Sequence, residues 1–456
     1  MCGIFGMVSN QQDVARRISF GLYDLQHRGQ LGVGIVVSDV KNIKEYRRKG
    51  LVAEVFNEEE GEEILGQLPG KFGIGHTLYS TIGRGGEEKQ PKTFQPLIGD
   101  FHGQPFALAH NGNLIHLEEL RKEAEEEGYN FHSRDSDTEV IVALLSTSKE
   151  DNFLEALLGI LPRIKGAFAL VILFKDKVIG IRDRFGIRPL CLGMQEGSFI
   201  LASEDCALHT LRGNFIREIC PGELIVLGEN GVEKSFAWAE NPQLRFCIFE
   251  YIYFARPDSR FLGQRVYSYR ERAGQIVAEE HPIKADIVCA VPESGEIYNI
   301  GVSQVLGLPL VKAIFRNRYF TGRTFLAPRE IDRRALQRIK FYILKELVHG
   351  NKVIITEDSI IRANVSPELV AMIREAGARE VHLMVGSSPI RFPCHLGIDM
   401  ATREELIAAD LSEEEIGSEV IRADTLGYLS LEGMVRASRL SKDQLCLGCF
   451  TGEYPE

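Results

Sequence analysis

Several things are scarce in this chain, and each scarcity narrows what it can be. No run approaches the ~20 apolar residues of a membrane-spanning helix. No basic segment followed by an apolar stretch opens it, so a cytoplasmic protein without a secretory leader is expected. Positive charge is in deficit: 53 Lys and Arg stand against 64 Asp and Glu, a net charge of −11. That balance argues against a dedicated nucleic-acid binder, while leaving room for a local basic pocket around a phosphorylated substrate. Internal repeats and low-complexity linkers are absent, which removes solenoids and tethered arrays. What is present is ordinary for a globular chain: 456 residues, 44% hydrophobic and 26% charged, enough for two or three domains with cores of their own. Nine cysteines without an export signal point to thiol chemistry, metal binding and core packing rather than to a disulfide framework.

The first six residues, Met1-Cys2-Gly3-Ile4-Phe5-Gly6, carry the sharpest chemical signal. A small second residue permits removal of the initiator methionine, which leaves Cys2 with a free α-amine beside its thiol. Such an amine titrates near ~7.7–8.0, so it is suited to take the thiol's proton near neutrality. Nucleophile and base then share one residue, the logic of the N-terminal nucleophile hydrolases. Taken alone, Cys2 is as well explained by a small buried residue.

Further along, the apolar run after Cys2 reads as a strand, and a helical stretch ends in Asp24-Leu25-Gln26-His27-Arg28-Gly29. A second strand is expected over 33–37, followed by Gly73-Ile74-Gly75-His76-Thr77-Leu78 and a Gly-rich loop around Arg84. A strand over 106–109 then delivers His110-Asn111-Gly112-Asn113. A charged helix over about 117–127 leads to Ser136-Asp137-Thr138-Glu139, a helix start. Residues 167–173 and 178–181 read as a buried hairpin. Asn-Gly is a common turn pair and Asp137 a natural helix cap. In this order and together, however, the segments resemble the class II glutamine amidotransferases. That resemblance implies an α+β N-terminal nucleophile hydrolase sandwich (αββα) over 2–235. Cys2 would attack the side-chain amide of glutamine, Asn111 and Gly112 would form the oxyanion hole, Asp137 would hold the α-ammonium, and Arg28 would order the nucleophile loop. Where that family places an arginine after His-Thr to clamp the glutamine α-carboxylate, this chain has Leu78; Arg84 or Arg134 is expected to supply the missing charge.

From Phe246 onward strands and helices alternate, as in a parallel sheet. An amphipathic helix is expected over 263–280, a strand over 287–291 ending in Pro292-Glu293-Ser294-Gly295, and another strand over 310–313. A polar stretch from 316 to about 340 contains Arg318, Tyr319 and Gly322-Arg323-Thr324-Phe325. The strand from Lys352 ends in Glu357-Asp358-Ser359, ahead of a helix over 367–376 and a strand over 381–385; the acidic stretch 402–440 reads as helical. Ligands of open α/β sheets sit at strand carboxyl ends, and helix N-termini bind phosphate, so this strand end suits a phosphorylated ligand; an acidic pair capping a helix is the plainer alternative.

The pattern resembles a type I phosphoribosyltransferase, and both halves together resemble the amidophosphoribosyltransferase family, which opens purine synthesis. The resemblance implies an α/β transferase domain with a parallel sheet over 236–456. Ammonia would pass through an apolar channel to C1 of phosphoribosyl pyrophosphate, giving 5-phosphoribosylamine and pyrophosphate. Ser294 and Gly295 would meet the pyrophosphate, Arg318 and Tyr319 would lie in a flap, Ser359 and Ser366 near ribose and 5′-phosphate, and Glu357 and Asp358 would hold ribose hydroxyls or Mg2+. A homotetramer and inhibition by purine nucleotides are implied as well. The family's phosphate loop, Arg-Gly-Thr-Thr-Ser, is here Arg362-Ala363-Asn364-Val365-Ser366, and its aspartates are Glu293 and Glu357. These changes leave a second reading open: a divergent relative whose site is silent or redirected, acting as a glutaminase for another acceptor or as a binding protein.

Cys446 and Cys449 form a CxxC pair, which alone suits a redox pair or half a zinc site. With Cys247 and Cys394 they match the four ligands of the [4Fe-4S] cluster in the iron–sulfur branch of the family, which implies a structural cluster, although four thiolates would accept zinc too. Cys191, Cys206, Cys220 and Cys289 lie in apolar runs and are expected in the core.

Overall fold

The structure, a computed structural model, describes residues 1–57, 60–79, 94–319, 338–400 and 402–455. In the first half, the strand Gly3–Val8 is buried along its whole length, because its side chains alternate between two cores. Ile4 and Val8 face a second sheet, while Phe5 and Met7 face a helix. Its sheet runs, edge to edge, Asn214–Glu218, Cys191–Gln195, Ser198–Ala202, Gly3–Val8, Phe72–Leu78, Gly32–Ser38 and Ile43–Lys49. The facing sheet runs Gly231–Ala237, Glu223–Gly228, Lys177–Arg182, Lys165–Phe174, Gln104–Ile115 and Leu97–Phe101. All pairings in both are antiparallel. The helix Val14–Asp24 covers the first sheet through Ile18 and Leu22. Thr138–Ser146 and Phe153–Ile160 cover the second through Ile141, Leu145 and Leu157. Four layers result, in the order αββα.

The second half is built on four parallel strands, Ile287–Ala290, Lys352–Glu357, Glu380–Val385 and Thr425–Tyr428. Alternation again divides their side chains. Val288, Ile354 and Met384 pack with Ala273, Val277 and Tyr298 from the helices Val266–Glu280 and Glu296–Leu306. Ile287, Val353, Ile355 and Leu383 pack with Leu369 and Ile373 of Ser366–Glu375. Both faces covered by helices is the arrangement a parallel sheet requires.

Three expectations need correction. Leu310 makes only an isolated bridge to Val288; the strand lies at Ile314–Arg316, paired with Phe341–Ile343 in a two-stranded ribbon where Phe315 stacks on Tyr342. The acidic stretch 402–440 is not one helical cover: Thr425–Tyr428 is the sheet's fourth strand, and the helix Leu431–Ser438 follows it. Cys220 is exposed, because Cys220-Pro221-Gly222 forms the turn before Glu223–Gly228, whereas Cys191, Cys206 and Cys289 are buried as expected. Among the described residues, no helix is long and apolar enough to cross a membrane.

Candidate active sites

Cys2 lies at the head of Gly3–Val8, and the Ile4 N–H donates to Ser203 Oγ at 3.0 Å, fixing the strand's entry. The Cys2 carbonyl accepts from Arg28 Nε at 3.1 Å, and its N–H donates to Asn111 Oδ1 at 3.1 Å. Arg28 is completely buried, and its charge is matched twice. Nη1 and Nη2 each donate to Glu250 at 2.9 Å, and Nη1 also donates to Glu204. Glu204 further pairs with the His27 ring at 2.7 Å and accepts the Arg256 N–H at 3.0 Å and the Ser259 hydroxyl. Burial opposes its charge, but His27 and Arg28 outweigh burial and hold Glu204 below the usual carboxylate range. Because Glu250 belongs to the second half, this buried network ties the Cys2 loop to that half.

Burial pushes the Cys2 thiol up, yet the adjacent His76 imidazole, the nearby α-ammonium and the Tyr79 N–H pull harder and bring it to about 6. The α-ammonium of Met1 is itself lowered to about 6, chiefly by burial. His76, Glu204 and Glu250 carry no role in the sequence reading. Glu250 was detectable in principle: a carboxylate inside Phe249-Glu250-Tyr251-Ile252 must be paired if that apolar run is buried. His76 left no such mark, since the strand pairing that sets it opposite Ile4 is long-range.

Asn111 and Gly112 sit on Gln104–Ile115, opposite Ala169 and Phe168. With Asn111 Oδ1 engaged by Cys2, its buried amide nitrogen has no hydrogen-bond partner among the described residues. It is a spare donor beside Cys2. Gly112 has φ +151°, and a Cβ there would lie 1.9 Å from the Ala167 carbonyl, so only glycine fits. Asp137 does cap its helix, accepting from Thr138 N–H at 2.7 Å, but its second oxygen accepts the Leu114 N–H at 3.0 Å and so braces the Asn111 strand. Leu78 is buried at its strand end. Arg134 is 85% exposed and 4.0 Å from Glu125, so it is not brought to Asp137; Arg84 lies outside the described residues.

At the other strand end, six predicted residues do converge. Ser366 Oγ donates to Glu357 at 2.7 Å, Ser359 Oγ and the Ser294 hydroxyl donate to Asp358, and Thr356 Oγ1 donates to the Gly295 carbonyl at 3.0 Å. Burial and the neighbouring Asp358 push Glu357 up to about 8, and burial pushes Asp358 up as well. Lys340 is the cation acting on Glu357, and burial together with Arg316 lowers its own pKa. Arg318 and Tyr319 are not part of this group: Tyr319 is 94% exposed, with its N–H on Asn317 Oδ1. Residues 322–325 lie outside the described residues. Ala363 has φ +49°, the left-handed region that favours glycine.

Cys247 and Cys446 face each other across the short parallel pairing of Phe246–Cys247 with Leu445–Cys446. The Cys449 carbonyl accepts the N–H groups of Arg391 and Phe392 at 3.0 and 3.1 Å, which docks the Cys394 loop onto it. Backbone N–H groups of Phe249, Leu396 and Gly448 point at the sulfurs of Cys247, Cys394 and Cys446. Burial pushes Cys247 up to about 11, and Cys446 and Cys449 upward too. Arg188, fully buried, lies close enough to Cys247, Cys394 and Cys446 for their charges to act on it, and one of its terminal nitrogens has no hydrogen-bond partner among the described residues. Among the described residues, no three His, Cys, Asp or Glu side chains converge as the ligands of a single metal ion must.

Comparison with known proteins matches this architecture from end to end. Residues 87–210 match the glutamine amidotransferase domain family. The whole chain aligns with the amidophosphoribosyltransferase of Methanocaldococcus jannaschii at 42% identity, covering 98% of that protein, and with that of Archaeoglobus fulgidus at 43%, again covering 98%. The solved glutamine phosphoribosylpyrophosphate amidotransferase of B. subtilis, complexed with ADP and GMP, superimposes with a TM-score of 0.91 at 38% identity, over 100% of this chain and 97% of that one. With likeness of this extent over the full length, the chain belongs to the amidophosphoribosyltransferase family.

Proposed function

We propose that this chain makes 5-phosphoribosylamine with Cys2 as its glutaminase nucleophile and the Glu357 strand end as its transferase site. The observation that carries the reading is the spare amide nitrogen of Asn111, held beside a nucleophile whose own carbonyl and N–H are both engaged. Removal of Met1 frees the α-amine of Cys2 to accept the thiol proton. The thiolate adds to the side-chain amide carbon of glutamine, and the oxyanion takes hydrogen bonds from Asn111 Nδ2 and the Gly112 N–H. One such preformed donor is worth ~10²–10³ in rate. Collapse expels ammonia as the amide nitrogen takes up a proton, and water hydrolyses the thioester to glutamate. Asp137 holds the substrate ammonium, and Arg28 fixes the loop through the Cys2 carbonyl. Ammonia crosses the apolar core around Phe249, Ile252 and Phe254, which Met1 adjoins before its removal, and displaces pyrophosphate from C1 of phosphoribosyl pyrophosphate.

Ser294, Gly295, Ser359 and Ser366 line the phosphates and ribose, with Arg318 and Tyr319 closing from the flap. The crowded, buried acids Glu357 and Asp358, opposed among the described residues by Lys340 and Arg270, fit Mg2+, which when bound would offset the charge of the pyrophosphate. The four cysteines fit a [4Fe-4S] cluster. Each thiolate of such a cluster holds its own iron, so the sulfurs need not meet at one point, and N–H donors to sulfur together with the Arg188 charge suit it. The reading extends to two domains meeting near residue 235, a homotetramer, purine-nucleotide inhibition and a cytoplasmic setting.

A second reading, a silent or redirected glutamine site, is favoured by Leu78, which is buried and offers no charge to the substrate carboxylate. Glutamate release from glutamine by anaerobically purified protein, with and without phosphoribosyl pyrophosphate and Mg2+, separates the two. Stimulation with matching pyrophosphate release is expected. Glutamate formed at one rate under both conditions means a different acceptor, and no glutamate from protein with Cys2 exposed means a silent site.

A further inference from the structure

The loop that follows Cys394 reaches across to the strand that carries the oxyanion donors. The His395 carbonyl accepts from Asn113 Nδ2 at 2.8 Å. Gly397, at φ +108°, packs so closely on Gly112 that a Cβ would lie 2.9 Å from the Gly112 carbonyl carbon and 3.0 Å from its oxygen. Between them, the Leu396 carbonyl accepts from Arg188 through both Nε, at 3.1 Å, and Nη2. Three consecutive residues therefore touch the Asn111–Asn113 segment or its neighbour Arg188. The same guanidinium approaches Glu250 at 3.8 Å, and Glu250 holds Arg28, which holds the Cys2 carbonyl. The loop's other end is fastened among the cysteines: the Cys394 N–H donates to the Met400 carbonyl at 2.8 Å, and the Leu396 N–H points at Cys394 Sγ at 3.4 Å.

Oxyanion donors act only if they are aimed before charge develops, and Gly112 holds a backbone conformation that its surroundings must enforce. We propose that His395-Leu396-Gly397 is a positioning element of the glutaminase, which sets the aim of Asn111 and Gly112 and is itself held in place by ligation of Cys394. The contacts to Asn113, Gly112 and Arg188 stand on the structure; the link to ligation rests on the cluster reading above. A loop of this kind makes glutamine chemistry depend on the cysteine site without any electron transfer, while the reaction at the transferase strand end stays independent of it.

The test uses full-length, anaerobically purified protein and the variants Gly397→Ala and Asn113→Ala, neither of which alters a cysteine. Iron content, ammonia-dependent phosphoribosylamine formation and glutamine-dependent formation are measured together. Iron and ammonia-dependent rate are expected to stay at wild-type values, while glutamine-dependent kcat falls about tenfold to a hundredfold and KM for glutamine moves by less than about twofold, as for misaimed transition-state donors. Full glutamine-dependent kcat in both variants overturns the proposal, as does an equal fall in both activities, which would mark a general structural role. Should Gly397→Ala lose iron or fail to fold, hydrogen exchange at residues 110–114 of the wild-type protein, before and after iron chelation, decides: faster exchange on chelation supports the link, and unchanged exchange overturns it. Wild-type protein without iron defeats the cluster reading and the link to ligation, and the Asn113→Ala kinetics then rule on the contact by themselves.

Discussion

Two pairs of buried carboxylates sit at the two ends of this chemistry, and they are treated in opposite ways. Glu204 and Glu250 are both fully buried around Arg28, whose guanidinium reaches each of them, and Glu204 is held low despite its burial. Glu357 and Asp358 are buried side by side with hydroxyls for partners, and Glu357 is driven up to about 8. The first pair is matched by Arg28 within the chain itself, so the loop at Cys2 is braced by internal ion pairs. The second stays raised despite Lys340 and Arg270, an arrangement that a cation or a cationic ligand completes. Preorganisation is bought at one site with internal ion pairs and deferred to the ligand at the other.

The largest effect separates the sites outright. Cys2→Ala should abolish glutamine-dependent product formation while leaving the ammonia-dependent reaction at the Glu357 strand end intact; loss of both in a folded variant would mean that the two sites cannot work apart. Next in size is the contrast between the acid pairs. Glu250→Gln leaves Arg28 and Arg188 short of a buried counter-charge and should cost ~3–5 kcal/mol, read from the urea midpoint. Glu357→Gln removes one of two crowded acids and should cost far less, or stabilise, in the absence of ligand. Equal losses would show that both pairs are internal staples.

How much of this was legible in the sequence follows the same division. The strand-end groups were, because Asn111-Gly112, Ser294-Gly295 and Glu357-Asp358 each lie within a few residues of a strand boundary that hydrophobic runs reveal. The parallel sheet was legible from alternation, apart from the expected strand over 310–313, which reduces to an isolated bridge, and the fourth strand, whose Thr425-Leu426-Gly427-Tyr428 has no apolar run and lies in an acidic context. The Arg28 network was not, because its partners lie 176 and 222 residues away and only the fold brings them together. Leu78 is the opposite case: its substitution for the family arginine is plain in the sequence, yet no described residue takes over that charge in a way the geometry shows.

A smaller effect concerns the nucleophile's own electrostatics. With Met1 retained the Cys2 thiol is lowered to about 6, so in that unprocessed form its reaction with iodoacetamide should rise with pH through a midpoint near 6 and then level off, because the thiolate is the reacting form. Cys191 and Cys206, pushed well up by burial, should not contribute in that range. His76→Ala removes the leading source of the lowering and should move the midpoint upward, toward the ordinary thiol range. An unmoved midpoint would assign the shift to the α-amine and the Tyr79 N–H instead.

The smallest effect tests whether the transferase loop is strained for use. Ala363 sits at φ +49°, where a Cβ costs ~1–2 kcal/mol. Ala363→Gly removes that cost but adds freedom to the unfolded chain, which takes back ~0.4–1 kcal/mol, so net stabilisation should be ~1 kcal/mol or less. Arg439, at φ +57° beyond the end of Leu431–Ser438, provides the control, since it carries similar strain on a different element from the Glu357 strand end. Arg439→Gly should shift the urea midpoint alone. Ala363→Gly should shift it by a similar amount and also lower KM for phosphoribosyl pyrophosphate, because backbone N–H groups between Arg362 and Ser366 can then turn toward phosphate without opposing a side chain. If the two variants change stability alike and KM is unmoved in both, the strain at Ala363 is incidental, and the phosphate-binding role of this loop loses its support.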